Sequence, residues 1–212
     1  MVFSNSSELH ELLEKLKKSE IAEKISKRMH VFSSFRNKSN AKLFNELCFC
    51  LLTANYSAEG GMKIQKKIAN GFLSFSLSEL ADALKNCGYR FPNTRASYIV
   101  EARRHKDFLK KLFEFKNGKD AREWLVKNIK GLGYKEASHF LRNIGFRDVA
   151  IIDFHIIDVL RGYGFIRKPK TLTRKRYLAI EKKLEKIAKE AKLSLGELDL
   201  YLWYLETGKI LK

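Results

Sequence analysis

At 212 residues the chain can bury a substantial core, as one domain or as two small lobes. Its 42 Lys and Arg against 24 Asp and Glu leave a formal charge of +18, more than solubility requires, and that balance favours a polyanion: nucleic acid first, an anionic membrane second. No cationic segment followed by an apolar stretch opens the chain and no apolar run approaches the length of a spanning helix, so a cytoplasmic protein is expected rather than a membrane or secreted one.

In chain order, Leu9, Leu12, Leu13 and Leu16 keep helical spacing behind Ser6 or Ser7 as a cap, and Ile21, Ala22, Ile25 and Met29 continue it after Ser19. Both segments read as packing helices. A basic turn from Phe35 to Asn40 leads to a helix over Ala41 to Thr53, where Leu43, Phe44, Leu47, Cys48, Cys50, Leu51 and Leu52 leave little polar face. This helix should be buried and central. Cys48, Cys50 and Cys87 lack metal-ligand spacing and read as core thiols, and no metal or cofactor is implied.

The central helix ends at Thr53-Ala-Asn-Tyr-Ser. The Asn55 amide donates and accepts, which suits the edges of an unpaired base, but an Asn after a helix is equally an ordinary cap. Helices over Ala58 to Ala69, stopping at Asn70-Gly71, and over Ser78 to Asn86 follow. Cys87-Gly-Tyr-Arg-Phe-Pro-Asn breaks the pattern, and Thr94 to Phe115 reads as one long basic helix. Arg90, Phe91 and Arg95 mix cations with an aromatic face, as nucleic-acid contacts do; a core Phe91 and plain surface arginines explain them too.

Asp120 is the expected cap of a helix over Ala121 to Ile129, and a second helix follows from Glu136 to Ile144. Between them Gly131 and Gly133 bracket one apolar residue, which makes a tight hairpin. Glycine at both positions permits positive φ and clears side chains away, so the hairpin amides and the next helix's N-terminus can approach a phosphate. Ala137 and Ser138 let the two helices pack closely. Lys135 falls in the first turn of the second helix, where the positive end of the helix dipole disfavours a protonated amine, and a lysine so placed can be a nucleophile. Asp153 follows the apolar run Val149 to Ile152 and precedes another helical pattern, which marks it as an N-cap held at a fixed place. His155, two residues on, is as readily a structural residue as a ligand-binding one.

The segment from Arg167 to Arg176 is strongly basic, either tracking phosphates or simply solvated. Ile180, Leu184, Ile187 and Ala188 mark a long helix. Ser194 caps the last one, Leu195 to Glu206, and Gly208 closes it. The aromatic tail from Tyr201 to Lys212 should be docked, with Trp203 at a spacing that also suits a core residue.

Taken together, Ile129, Gly131, Gly133, Lys135, Asp153 and His155 resemble the signature of the helix-hairpin-helix DNA glycosylases: Leu/Ile-x-Gly-x-Gly-x-Lys, then an Asp in an apolar-Asp-x-His setting. The short length, the Lys135 to Asp153 interval and the run Gly88-Tyr-Arg-Phe-Pro-Asn-Thr-Arg-Ala resemble the compact 8-oxoguanine DNA glycosylase/AP lyases of archaea and some thermophilic bacteria. The resemblance implies an all-α fold of two lobes with a DNA cleft between them, approximately 1–55 with 165–212 against 56–164, the latter containing the hairpin 121–144. It assigns Lys135 as nucleophile and Asp153 as its carboxylate, and gives the DNA backbone to Gly131, Gly133 and His155. Asn55 and Arg95 then meet the orphan cytosine, while Phe91, Trp203 and Lys212 border the base pocket.

The implied reaction removes 8-oxoguanine from duplex DNA, opposite cytosine, through a lysine Schiff base and cleaves the strand by β-elimination, in a monomer without metal or cofactor. The three cysteines cannot supply the four-cysteine iron-sulfur cluster of some relatives. Rival readings are a glycosylase for another damaged or mispaired base, a non-catalytic duplex DNA-binding protein, and RNA binding, which fits the charge alone.

Overall fold

The computed structural model describes residues 6–212, and among these no strand forms. Twelve α-helices follow in order: α1 (Ser6–Lys17), α2 (Glu20–Ser34), α3 (Asn40–Leu52), α4 (Ala58–Ile68), α5 (Gly71–Ser74), α6 (Leu77–Asn86), α7 (Pro92–Ala102), α8 (Gly118–Asn128), α9 (Tyr134–Asn143), α10 (Phe154–Gly162), α11 (Arg174–Glu190) and α12 (Leu195–Thr207). Side chains that accept from a backbone amide of the first turn set most of the starts: Ser19, Ser39, Ser57, Ser76, Asn117, Asp153, Thr173 and Ser194. Ser7 lies inside α1 rather than before it, and the capping role considered for the Ser6 side chain falls outside the described residues.

Two expectations change. The cap of α8 is Asn117, whose Oδ1 accepts from the Asp120 amide at 2.9 Å, so Asp120 sits within the first turn. The segment expected as one helix divides into α7, opened by Pro92 in its first turn, and a 3₁₀ helix over Arg103–Glu114. Leu109 and Leu112, like His105 and Phe108, stand three residues apart and so stack in register on a helix of three residues per turn. His105 and Phe108 pack on Trp124, with ring centroids 5.5 and 4.2 Å away, while Leu109 and Leu112 enter the core. Arg103 ties the start of this segment down by donating to the carbonyls of Phe72 and Phe75.

Buried apolar side chains form two clusters. The first runs from Leu43 to Val149 and is built around α3, of which nine residues are buried, Cys48 and Cys50 included. The second joins α1 and α2 to α10, α11 and α12. Two helices therefore fall across the boundary expected from sequence: α3 packs with the middle of the chain and α10 with the termini. The chain passes from one core to the other between Val149 and Ala150, and Asp153 follows directly.

Candidate active site

The two hairpin glycines behave differently. Gly131 has φ +87°, and a Cβ there would stand 2.3 Å from Cδ2 of Tyr98, so both backbone conformation and packing demand glycine. Gly133, at φ −88° and ψ −176°, is extended and serves as N-cap of α9 without a side-chain cap. The expected positive φ therefore holds only at Gly131. With no side chain at the cap, the first-turn amides of α9 have none of the side-chain acceptors that begin most of the other helices.

Lys135 follows in that first turn, partly buried, with its ammonium 3.9 Å from Glu136 Oε1. Asp153 caps α10 and accepts from the Ile156 amide at 3.0 Å. Both side chains open into one cleft of about 760 Å³. The cleft lies where the cores meet, with α9 and the α3–α4 turn contributed by the first and α10 and α12 by the second.

Buried hydrogen bonds across the junction fix where α9 stands relative to Asp153. Arg122 of α8 makes two bonds to Glu181 of α11, at 2.6 and 2.7 Å, and a third to Ser138 of α9 at 3.1 Å. Glu181 also accepts from the Ala150 amide at 2.9 Å. The Tyr177 hydroxyl donates to Ala150 O at 2.7 Å, accepts from the Ile152 amide at 3.3 Å and lies 3.2 Å from Ser138 Oγ.

Of the residues singled out from sequence, Asn55, Lys135, Asp153, His155, Trp203 and Lys212 all line the cleft. Asn55 is exposed with φ +60°, a strained conformation for a non-glycine residue that Asn tolerates best. Arg95 is not a surface charge. It is buried beneath this turn and donates to Ala54 O at 3.3 Å, with Tyr98 5.5 Å away linking it to the hairpin. Phe91 does not join the lining: it is exposed before α7, with Arg90 over its ring at 5.1 Å. His155 meets Trp203 edge-on at 4.6 Å and lies 3.9 Å from Glu206.

The tail is docked. The Lys212 ammonium bonds Glu46 of α3 at 2.8 Å and Gln65 of α4 at 2.6 Å, and sits 4.2 Å from the Phe49 ring centroid.

Sequence reasoning missed Glu46, His139, Arg142, Phe154 and Asp199. Glu46 is 3% exposed and also accepts from Asn143. His139 and Arg142 stand four and seven residues after Lys135 on the same face of α9, and that spacing was the available signal. Arg142 faces Asp199 at 3.2 Å. Burial is the main force pushing the Asp199 carboxyl up to about 6; the Arg142 and Lys135 charges oppose it and the Asp153 charge adds to it. Phe154, the residue between Asp153 and His155, is 64% exposed on the cleft.

An all-helical chain in which a glycine hairpin holds a lysine across a cleft from an N-cap aspartate has the architecture of a helix-hairpin-helix DNA glycosylase. The model of the 8-oxoguanine DNA glycosylase family matches residues 25–193, and the chain belongs to that family. It is 57% identical over 201 residues to the 8-oxoguanine DNA glycosylase/AP lyase of Methanocaldococcus jannaschii, covering 94% of this chain and 97% of that one. The enzyme of the same name from Korarchaeum cryptofilum is 54% identical over 200 residues, covering 93% and 95%. Among solved structures, the M. jannaschii 8-oxoguanine glycosylase/lyase in complex with 15mer DNA containing 8-oxoguanine superposes with a TM-score of 0.94 at 56% identity, covering 96% of this chain and 99% of that one. The 8-oxoguanine DNA glycosylase of Thermotoga maritima gives 0.92 at 43% identity, covering 98% and 100%.

Proposed function

We propose that this chain removes 8-oxoguanine from duplex DNA and cleaves the strand at the resulting site, with Lys135 as the nucleophile for both steps. One observation carries the residue assignment: Lys135 and Asp153, on elements of different cores, open into a single cleft. The chemistry is that of the relatives' shared name, 8-oxoguanine DNA glycosylase/AP lyase.

The sugar C1′ is out of reach inside a duplex, so the damaged nucleotide must leave the stack. The hairpin backbone and α9 amides, with His155 across the cleft, grip the phosphates on either side of it. Asn55, raised on the turn that Arg95 supports, enters the vacated gap beside the orphan base. The extruded purine occupies the cleft, against Trp203 and the docked tail. Lys135, once its ammonium proton has passed to solvent, attacks C1′ as the free amine and the glycosidic bond breaks, the purine leaving with the bonding pair and taking up a proton. Asp153 stabilises the positive charge that grows on the sugar, because a fixed carboxylate acts most strongly where charge appears in the transition state. Loss of the amine proton and ring opening give the Schiff base. That cation acidifies C2′–H, and removal of this proton expels the 3′ phosphate. Cytosine opposite the lesion and a monomeric enzyme complete the reading; one cleft on one chain holds every group the reaction uses.

Borohydride trapping on a duplex with one 8-oxoguanine opposite cytosine is the test. Lys135→Gln should abolish the adduct and strand cleavage while retaining lesion binding, and cleavage that survives the substitution reassigns the nucleophile. Asp153→Asn should slow chemistry far more than binding; equal losses make Asp153 a structural cap alone.

A further inference from the structure

His139 stands one helical turn beyond Lys135 on the cleft face of α9 and is 6% exposed. The Lys212 main chain lies alongside as a hydrogen-bond partner for one ring nitrogen, and the other nitrogen has none. A buried histidine that serves packing is almost always satisfied by its neighbours, since a polar group taken out of water without a partner is destabilising. Here the ring's apolar contact, edge-on to Phe49 at 5.5 Å, explains its position and still leaves a nitrogen without a partner. The same cleft wall carries Arg142, whose Nη1 is ion-paired with Asp199 at 3.2 Å while its Nε has no hydrogen bond. This wall of the cleft is therefore polar and keeps buried nitrogens free to bond what enters it.

We propose that His139 reads the edge of the extruded purine by hydrogen bonding and is a specificity-determining residue of the site. The inference rests on the reaction proposed above.

Burial pushes the imidazole well below its usual range, and the Arg142 and Lys135 charges press in the same direction. The ring is thus neutral at working pH, with one N–H donor and one bare acceptor nitrogen. It can donate to a purine carbonyl oxygen or accept from a ring N–H, and 8-oxoguanine offers both kinds. A charged histidine could only donate. No other group is asked of it: chemistry at C1′ stays with Lys135 and Asp153.

A duplex carrying an abasic site separates base reading from sugar chemistry, because it has no base to read. Wild type, His139→Leu and His139→Gln are compared by single-turnover excision on the 8-oxoguanine duplex and by strand cleavage on the abasic duplex. In His139→Leu the ratio of excision to abasic cleavage should fall roughly 10- to 100-fold, the scale of one unmade buried hydrogen bond. His139→Gln, which keeps a donor and an acceptor, should recover most of the ratio. An unchanged ratio in His139→Leu, whether both rates hold or both fall together, overturns the proposal and makes the residue a packing element. Inactivity of the wild type on both duplexes would be a different failure, that of the reaction itself.

Discussion

Tyr177→Phe removes one oxygen from the junction between the cores. That hydroxyl donates to Ala150 O and accepts from the Ile152 amide, in the extended stretch that delivers Asp153, and burial holds the phenol far above its usual range, so it is a neutral donor at any working pH. Its loss leaves a buried carbonyl and a buried amide without their partner. At about 1 to 3 kcal/mol for such groups, the variant should lose roughly 2 to 4 kcal/mol, which for a chain of this size lowers Tm by roughly 5 to 15 °C. The larger consequence is kinetic. A displacement of about 1 Å between reacting groups can slow a reaction about 100-fold, and Ser138 of α9, beside the same hydroxyl, is one turn from Lys135. Calorimetry, single-turnover excision and equilibrium binding to lesion DNA measure the three quantities. Excision should fall roughly 10- to 100-fold with binding changed about twofold or less. A lowered Tm with full excision would refute the positioning argument, and an unchanged Tm would show that these hydrogen bonds contribute nothing.

Three further predictions follow from the same contacts. Gly131→Ala places a Cβ at φ +87° against Tyr98, so it should destabilise by about 2 kcal/mol or more and weaken DNA binding, whereas Gly133→Ala, at φ −88° with only the Glu136 carboxylate near, should stay within about 1 kcal/mol; equal Tm shifts for the pair would contradict this. Glu46→Gln takes the carboxylate from the Lys212 ammonium and should destabilise by about 3 kcal/mol while speeding amide hydrogen exchange in the segment from Gly208 to Lys212, and unchanged exchange would show that the tail is held otherwise. Asp199 has its folded value raised to about 6 from 3.8, so the folded state binds the extra proton between those values and stability is lost as pH rises through them. Asp199→Asn escapes that loss, and its stability relative to wild type should improve by about 2 kcal/mol between pH 4 and pH 7; a difference independent of pH would refute the burial argument.

Local patterns made the frame legible before any coordinates. The α3 run, the Ser194 cap and the Gly208 stop depend on neighbours within a few residues, and the hairpin with Lys135 and the Asp153 cap were each local patterns of the same kind. The 3₁₀ helix over Arg103–Glu114 escaped because the same apolar residues fit periods of 3 and 3.6 almost equally well over twelve positions. Arg95 escaped for another reason: its burial under the Asn55 turn is a tertiary fact, and in sequence it is one cation among many. Glu46 did leave a trace, as the one acidic residue in a mostly apolar helix. Asp199 and Arg142 left less, since each reads alone as a solvated edge and only their meeting across α9 and α12 gives either a purpose.

The division into two cores places the chemistry under a mechanical constraint. Lys135 moves with α9 and the first core, and Asp153 with α10 and the second. On the mechanism proposed above, a small rotation of one against the other would separate Lys135 from the carboxylate that stabilises the charge growing on the sugar. An apolar interface resists separation but permits sliding, because dispersion and the hydrophobic effect are non-directional. The Arg122–Glu181 pair, 1% and 2% exposed, resists sliding through fixed donor and acceptor directions. Its net contribution to stability is small once desolvation of both charges is counted. Its value at this junction is directional: it holds α8, α9 and the extended approach to Asp153 in one register, and so the distance between Lys135 and Asp153 across the cleft is set by bonds that lie outside it.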